Sequence, residues 1–264
     1  MRITVFTSNQ PRHIALIEVL AGVADEVYAV QECNTVFPGE VPDFFRRSEV
    51  MQHYFRRVIA AETEVFGRPR FAPRNAVQLP IKMGDLNRLE LAVLAPALQS
   101  DIYVVFGASW IKGPLCDHLV AHRAYNLHMG VSPYYRGSST NFWALYDARP
   151  EYVGATIHLL SRGLDSGPML FHALPKAEAV DPFLLGMKAV RSAHLGLIEA
   201  ITNGQLHQVE PVPQDKSRQF RYTRNTDFTD TAARDYLDRL PSPEAIRSAL
   251  DARDLGQFLR PYVV

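Results

Sequence analysis

Apolar positions along the chain follow two rhythms, and their alternation predicts the fold. Ile3 to Thr7 is a short β-rich run that breaks at Ser8-Asn9-Gln10-Pro11, which is turn chemistry. Ile14, Leu16, Ile17 and Leu20 then recur at helical spacing, and Gly22 closes the helix. Glu26 to Val30 is a second β-rich run. A strand, turn, helix, strand opening is the start of a doubly wound sheet. No G-x-G-x-x-G follows the first strand, so a dinucleotide-binding fingerprint is missing. Downstream, the pattern predicts a charged, aromatic helix over Phe44 to Val65 and a strand over Ala76 to Pro80. A helix over Asp85 to Leu98 follows, with Asp85 as its N-cap. Ile102 to Phe106 is continuously apolar, as in a strand buried on both faces, and ends at Gly107. Leu115 to Arg123 reads as helix, Tyr125 to Met129 as strand, Gly130 to Gly137 as loop and Thr140 to Tyr146 as helix. Gly154 to Leu160 alternates like a strand, Gly163 to Gly167 is a loop, and Phe183 to Ile201 is a long amphipathic helix. From about Thr223 the pattern is polar and helical, with no clear strand series. The expected fold is therefore α/β, a doubly wound, mostly parallel Rossmann-like sheet over residues 1–200, with a short helical extension over 201–264.

Composition narrows what such a fold does. Among 264 residues, 47% are hydrophobic, enough for a sizeable core. Lys plus Arg equals Asp plus Glu at 28 each, so no global basic field draws nucleic acid and no nucleic-acid partner is expected. The two cysteines, Cys33 and Cys116, make neither a disulfide framework nor a zinc cluster. A reduced, cytoplasmic setting is the expectation. Met1 to Phe6 is too short for a signal peptide, and no apolar run reaches membrane-spanning length, so no membrane association is expected.

Candidate chemistry concentrates in one stretch. Asn126 and His128 lie two apart on a strand, so a carboxamide and an imidazole project from one face. They sit near the strand's C-terminal end, where open α/β sheets place ligands. Asp165 follows the next strand in Ser161-Arg162-Gly163-Leu164-Asp165-Ser166-Gly167, bracketed by glycines that suit a tight loop. Singly, each residue reads as a turn, capping or structural group. Together they carry an oxyanion donor, a proton carrier and a group that orients it.

Tyr125-Asn126-Leu127-His128 followed by Ser132-Pro133-Tyr134-Tyr135-Arg136-Gly137 resembles the N-x-H and L-L-P-x-Y-R-G signature of the tetrahydrofolate-dependent formyltransferases. Val153 to His158 is similar to that family's G-x-T-I-H strand, and Gly163 to Gly167 to its G-x-D-T/S-G loop. Asp101 to Trp110 resembles its folate-side strand and loop. The likeness is firm from about residue 75 to 170 and fades after about residue 200. Pro168 stands where many members carry Asp, and Ser132 replaces a Leu of the signature.

The resemblance implies transfer of a formyl group from 10-formyltetrahydrofolate, as co-substrate, to a primary amine. Asn126 and His128 would hold the formyl oxygen, and Asp165 would keep His128 in place and help move the amine proton. Phe106, Ala108, Trp110 and Ile111 would border the pterin on one side, Gly163 and Leu164 on the other. Ser8, Asn9 and Arg12 in the first turn, with Tyr135, would face the acceptor, and arginines of 44–57 or 216–224 would border its pocket. For those basic groups, and for Lys216, Arg218, Arg221 and Arg224, a solvated surface is the plainer reading. Capping by Ser8 or Asn9 is the plain reading of the first turn. His118 and His122, at i and i+4, lack a carboxylate that would complete a metal shell, and no metal is expected. Phe142 and Trp143 read as core; Trp110 reads equally as ligand platform or surface residue.

The methionyl-tRNA members of the family carry a larger C-terminal barrel, for which the residues after Thr223 are too few and too helical. The purine-synthesis members carry a glycine-rich first turn, and Thr7 to Pro11 has no glycine. A small-molecule amine is the expected acceptor, a nucleotide-linked amino sugar or an amino acid. The alternatives are a formyltetrahydrofolate hydrolase and a methionyl-tRNA formyltransferase-like enzyme. The sequence leaves the oligomeric state open, a homodimer included.

Overall fold

The computed structural model describes residues 1–33 and 47–264. In chain order the elements are β1 (Arg2–Ser8), α1 (Pro11–Ala21), β2 (Glu26–Cys33), α2 (Glu49–Phe66), β3 (Ala76–Lys82), α3 (Leu91–Leu94), β4 (Ile102–Val105) and α4 (Gly113–Ala121). Then come β5 (Tyr125–Met129), β6 (Tyr135–Gly137), α5 (Thr140–Tyr146), β7 (Ala155–Leu159), β8 (Met169–Leu174), α6 (Pro182–Thr202) and α7 (Gln205–Gln208). The chain ends with β9 (Arg221–Thr223), α8 (Asp230–Asp238), α9 (Pro243–Asp251) and β10 (Tyr262–Val263).

Among the described residues the main sheet runs β10-β8-β7-β5-β4-β1-β2-β3. Its pairings are parallel except those of β7, which runs against both β5 and β8. The order reverses between β1 and β4, the kind of switch point that opens a crevice beyond the strand C-termini. One face is covered by α1, α2, α5 and α6, whose Leu16, Ile17, Phe142, Leu185 and Leu197 pack on Val5, Val104 and Ile157. The other face is covered by α3 and α4, with Leu94, Leu115 and Leu119 against Phe6, Tyr103 and Val105. Each fully buried aliphatic side chain of these layers contributes roughly 1.5–3 kcal/mol.

The expected strands and helices stand near their predicted places, with several differences, one of them β8, a strand that the sequence pattern did not predict. The helix expected over Asp85 to Leu98 is a 3₁₀ turn at Leu86–Arg88 and the single turn of α3, because Leu89 and Glu90 are extended and Pro96 blocks continuation. Asp85 makes no cap; the carboxylate of Glu32 instead accepts from the N–H groups of Gly84 and Leu86 at 2.8 and 3.4 Å. In the first turn the N-cap of α1 is Gln10 without a side-chain cap, so neither Ser8 nor Asn9 caps the helix. The Tyr-rich loop before α5 contains β6, which pairs in parallel with β9 in a second, two-stranded sheet. Past residue 200 the chain is not purely helical: β10 extends the main sheet beside β8, and Ala232, Tyr236, Ile246, Leu250 and Phe258 join the principal core. The helix expected from Phe44 is seen from Glu49; its predicted start, with Arg46, lies outside the described residues. No helix among the described residues is long and apolar enough to cross a membrane.

Candidate active site

The strand C-termini of β1, β4 and β5 open into a cavity of about 670 Å³. Parity on β5 sends Asn126 and His128 to this side, both nearly buried at 9% and 8% exposure. Asp165 reaches them from the loop after β7. Its Oδ1 accepts from Asn126 Nδ2 at 3.1 Å, and its Oδ2 lies 3.4 Å from His128 Nδ1. The contact sets the carboxylate beside Nδ1 and leaves Nε2, the other ring nitrogen, away from it. Nε2 is buried with no partner. Asp165 has φ of +44°, in the left-handed region that a residue with a Cβ seldom enters.

A fourth group completes the cluster. Asn126 faces His158 across the antiparallel β5–β7 register, and its Nδ2 lies 3.0 Å from His158 Nε2. His158 Nδ1 donates to the Leu159 carbonyl at 2.8 Å, which fixes the tautomer and leaves Nε2 as an acceptor. Burial lowers the pKa of His158 to about 4, so it is neutral near pH 7. His158 belonged to the motif read from sequence, but its contact with Asn126 depends on strand pairing that no local pattern reveals.

Phe106, Ala108, Trp110, Ile111, Gly163 and Leu164 all line the cavity. Trp110 and Leu164 are apolar yet 46% and 49% exposed at its mouth. The 107–112 loop is held by two staples. Glu32, fully buried, accepts from Ser109 N at 2.6 Å, and Asn87 bonds Trp110 O and Lys112 N at 2.8 Å each. Gly107, at φ +68°, lets the chain pass over His13: a Cβ there would lie 2.4 Å from His13 Nε2.

The expected acceptor residues divide. Arg12 lines the cavity, but its guanidinium is paired with buried Glu62 at 2.8 Å. Ser8 is buried and donates to the Glu32 carbonyl, and neither it nor Asn9 lines the cavity. Tyr135 is 1% exposed and turned away, its hydroxyl on Asp147 at 3.2 Å. Among the arginines named from sequence, Arg57 pairs with Asp181 and Arg221 with Asp147. His13, Met129, Ser138, Ser139 and Asn225 also line the cavity. Phe142 and Trp143 lie in the core as expected. His118 and His122 are stacked, ring centroids 4.1 Å apart.

Residues 69–190 match the formyl transferase family. A methionyl-tRNA formyltransferase of Synechococcus is 31% identical over 131 residues, 49% of this chain and 40% of the relative. A methionyl-tRNA formyltransferase of Thermotoga maritima is 27% identical over 202 residues, 69% of this chain and 62% of the relative. The chain thus spans less than two thirds of these relatives. The fold matches a 4-N formyltransferase of Francisella tularensis with a TM-score of 0.54 at 16% identity, covering 89% of this chain and 86% of the other. It also matches a formyltransferase of Anoxybacillus kamchatkensis, solved with a UDP-linked formamido sugar and tetrahydrofolate, with a TM-score of 0.52 at 15% identity. That match covers 95% of this chain and all of the other.

Proposed function

The chain belongs to the formyl transferase family through residues 69–190, and from that premise we propose that it moves a formyl group from 10-formyltetrahydrofolate to the primary amine of a small molecule. A nucleotide-linked amino sugar or an amino acid is the acceptor class. The observation that carries this reading is the convergence of Asn126, His128 and Asp165 on one cavity, with the buried Nε2 of His128 unpartnered and aimed at no other protein group.

The cavity suits the co-substrate. Trp110 and Leu164 offer apolar surface for a flat heterocycle, and the stapled 107–112 loop supplies a fixed wall. The amine nitrogen attacks the formyl carbon, and negative charge grows on the formyl oxygen. Asn126 and the His128 side chain are the nearby groups able to donate to it. The amine loses a proton, N10 of the folate gains one, and the bond between N10 and the formyl carbon breaks. Formamide and tetrahydrofolate leave. Asp165, against His128 Nδ1, keeps that ring oriented for its part in the transfer.

Support for a sugar-like acceptor is the fold shared with the Francisella and Anoxybacillus enzymes, together with the hydroxyl and amide groups of Ser138, Ser139 and Asn225 in the cavity lining. The sequence relatives favour a second reading, methionyl-tRNA as acceptor. Tetrahydrofolate release is followed with nucleotide-linked amino sugars, amino acids, methionyl-tRNA and no amine, and formylated product is identified by mass. Release that needs a small amine is the expected result. Equal release without any amine would make the chain a hydrolase, and formylation of methionyl-tRNA alone would move the acceptor class.

A further inference from the structure

We propose that Gln214 is a positioning residue of this reaction, holding Asp165 in its reactive pose from the C-terminal part of the chain. The proposal rests on the reading above, in which Asp165 acts in formyl transfer.

Gln214 Nε2 donates to the backbone carbonyls of Asp165 at 2.9 Å and Gly167 at 3.0 Å. Carbonyl oxygens only accept, so both amide hydrogens are committed and the orientation of the carboxamide is fixed. The remaining oxygen, Oε1, is buried with no partner. An unpaired buried acceptor is unfavourable, and a side chain present for packing alone would not need one. The whole polar capacity of Gln214 that finds a partner is spent on this loop.

The loop needs such support. Asp165 sits at φ +44°, a conformation that a residue with a Cβ keeps only where its surroundings hold it. The ends of the loop are fixed: Leu159 N donates to Pro168 O at 2.9 Å, and a Cβ on Gly167 would meet the Leu159 carbonyl at 1.7 Å. Its front half is tied at exposed positions, by Ser161 Oγ to the Gly163 carbonyl at 3.1 Å and to Ser166 Oγ at 3.0 Å and by Arg162 to Asp117 at 2.8 Å, none of which reaches the Asp165 backbone. Gln214 acts on the residue between, and it is itself on firm ground. Val212 and Met169 exchange backbone bonds of 2.7 and 2.8 Å, which pins the segment carrying Gln214 to the start of β8. The aim of the Asp165 carboxylate at Asn126 and His128 thus depends on a residue 49 positions away.

The test uses the full chain, 10-formyltetrahydrofolate and hydroxylamine as the probe amine, which yields formohydroxamate and tetrahydrofolate. Gln214→Ala is expected to lower kcat by about 10- to 100-fold, the scale of a misplaced reactive group. Gln214→Glu keeps the size and loses the donors, and is expected to match it. The same Gln214→Ala change made on Asp165→Ala should add almost nothing, because its effect passes through that carboxylate. Hydrogen exchange of the 160–168 peptide should quicken while that of 125–129 stays as it was. Equal losses in both backgrounds, or unchanged kcat and exchange in Gln214→Ala, would overturn the proposal. If Asp165→Ala is as active as the parent, or the parent makes no formohydroxamate, the functional reading fails, and the exchange result still decides whether Gln214 holds the loop.

Discussion

Asn126 has both amide hydrogens engaged, one on the neutral His158 and one on Asp165. Donation to a formyl oxygen therefore draws on the bond to Asp165, the less buried of the two partners, and not on the one to His158. Asn126→Ala should lower kcat by about 10²–10³, roughly 2.7–4 kcal/mol, as loss of an oxyanion donor does elsewhere. Folate Kd, measured by calorimetry, should hold steady, since the pterin wall is built by other residues. Asp165→Asn should lower kcat with the fold intact, and the Asn126 and Asp165 losses should combine to less than their product. A wholly folate-binding defect in Asn126→Ala would end the oxyanion assignment. At this scale the sequence was readable where parity decides, as for Asn126 and His128. It was not readable where a partner arrives across the sheet, as His158 does, or from a distant segment, as Glu32 and Gln214 do. Tyr135 shows the reverse failure: its residue type suits substrate contact, but Asp147 claims its hydroxyl, whereas Arg12 both pairs with Glu62 and lines the cavity.

The elements most easily read were those whose burial matches a single period: β1, β4, β5 and α6. β8 escaped notice although every residue of it is buried, because His172 interrupts its apolar run and it sits directly behind the Asp165 loop. β6 and β9 are three residues each, and they are strands only because they pair with one another. That pairing hangs on Gly137, whose φ is +90° and whose place for a Cβ lies 1.9 Å from the Thr223 carbonyl oxygen. Gly137→Ala should therefore destabilise the protein by about 2–5 kcal/mol, combining backbone strain with overpacking. Urea denaturation would report it, and a midpoint unchanged from the parent would mean that β6 and β9 separate without consequence. Because Ser138, Ser139 and Asn225 flank this pair on the cavity side, the same change should raise the KM of the amine more than that of folate.

At the scale of the molecule, burial holds four of the described histidines neutral in the interior, His13 among them. It lowers His158 and His172 to about 4 and His194 to about 3. In the unfolded chain each titrates near 6.5, so between these values the unfolded state binds the extra protons. Their contribution to stability is complete above about pH 6.5 and drains away as the pH falls toward 4. Each should remove about 2 kcal/mol by about pH 5. Melting temperatures across this range should fall steeply, and His194→Leu should fall less steeply, since that ring lies between Phe66 and Phe106 with Nε2 unpartnered. A flat profile in the parent would refute the account.

The reacting groups lie close together along the chain. Asn126, His128, His158 and Asp165 fall within one stretch whose ends are 39 positions apart, carried by the β5–β7 antiparallel pair and its following loop. The rest of the lining is drawn from farther apart: Met129, Ser138 and Ser139 fall inside this stretch, but His13 and Asn225 come from far outside it. Under the proposed function, the formyl-handling groups and only those two distant contacts are therefore separable inheritances. Exchanges around His13 and Asn225 would then alter the choice of amine while the stretch proposed to handle the formyl group passes on unaltered.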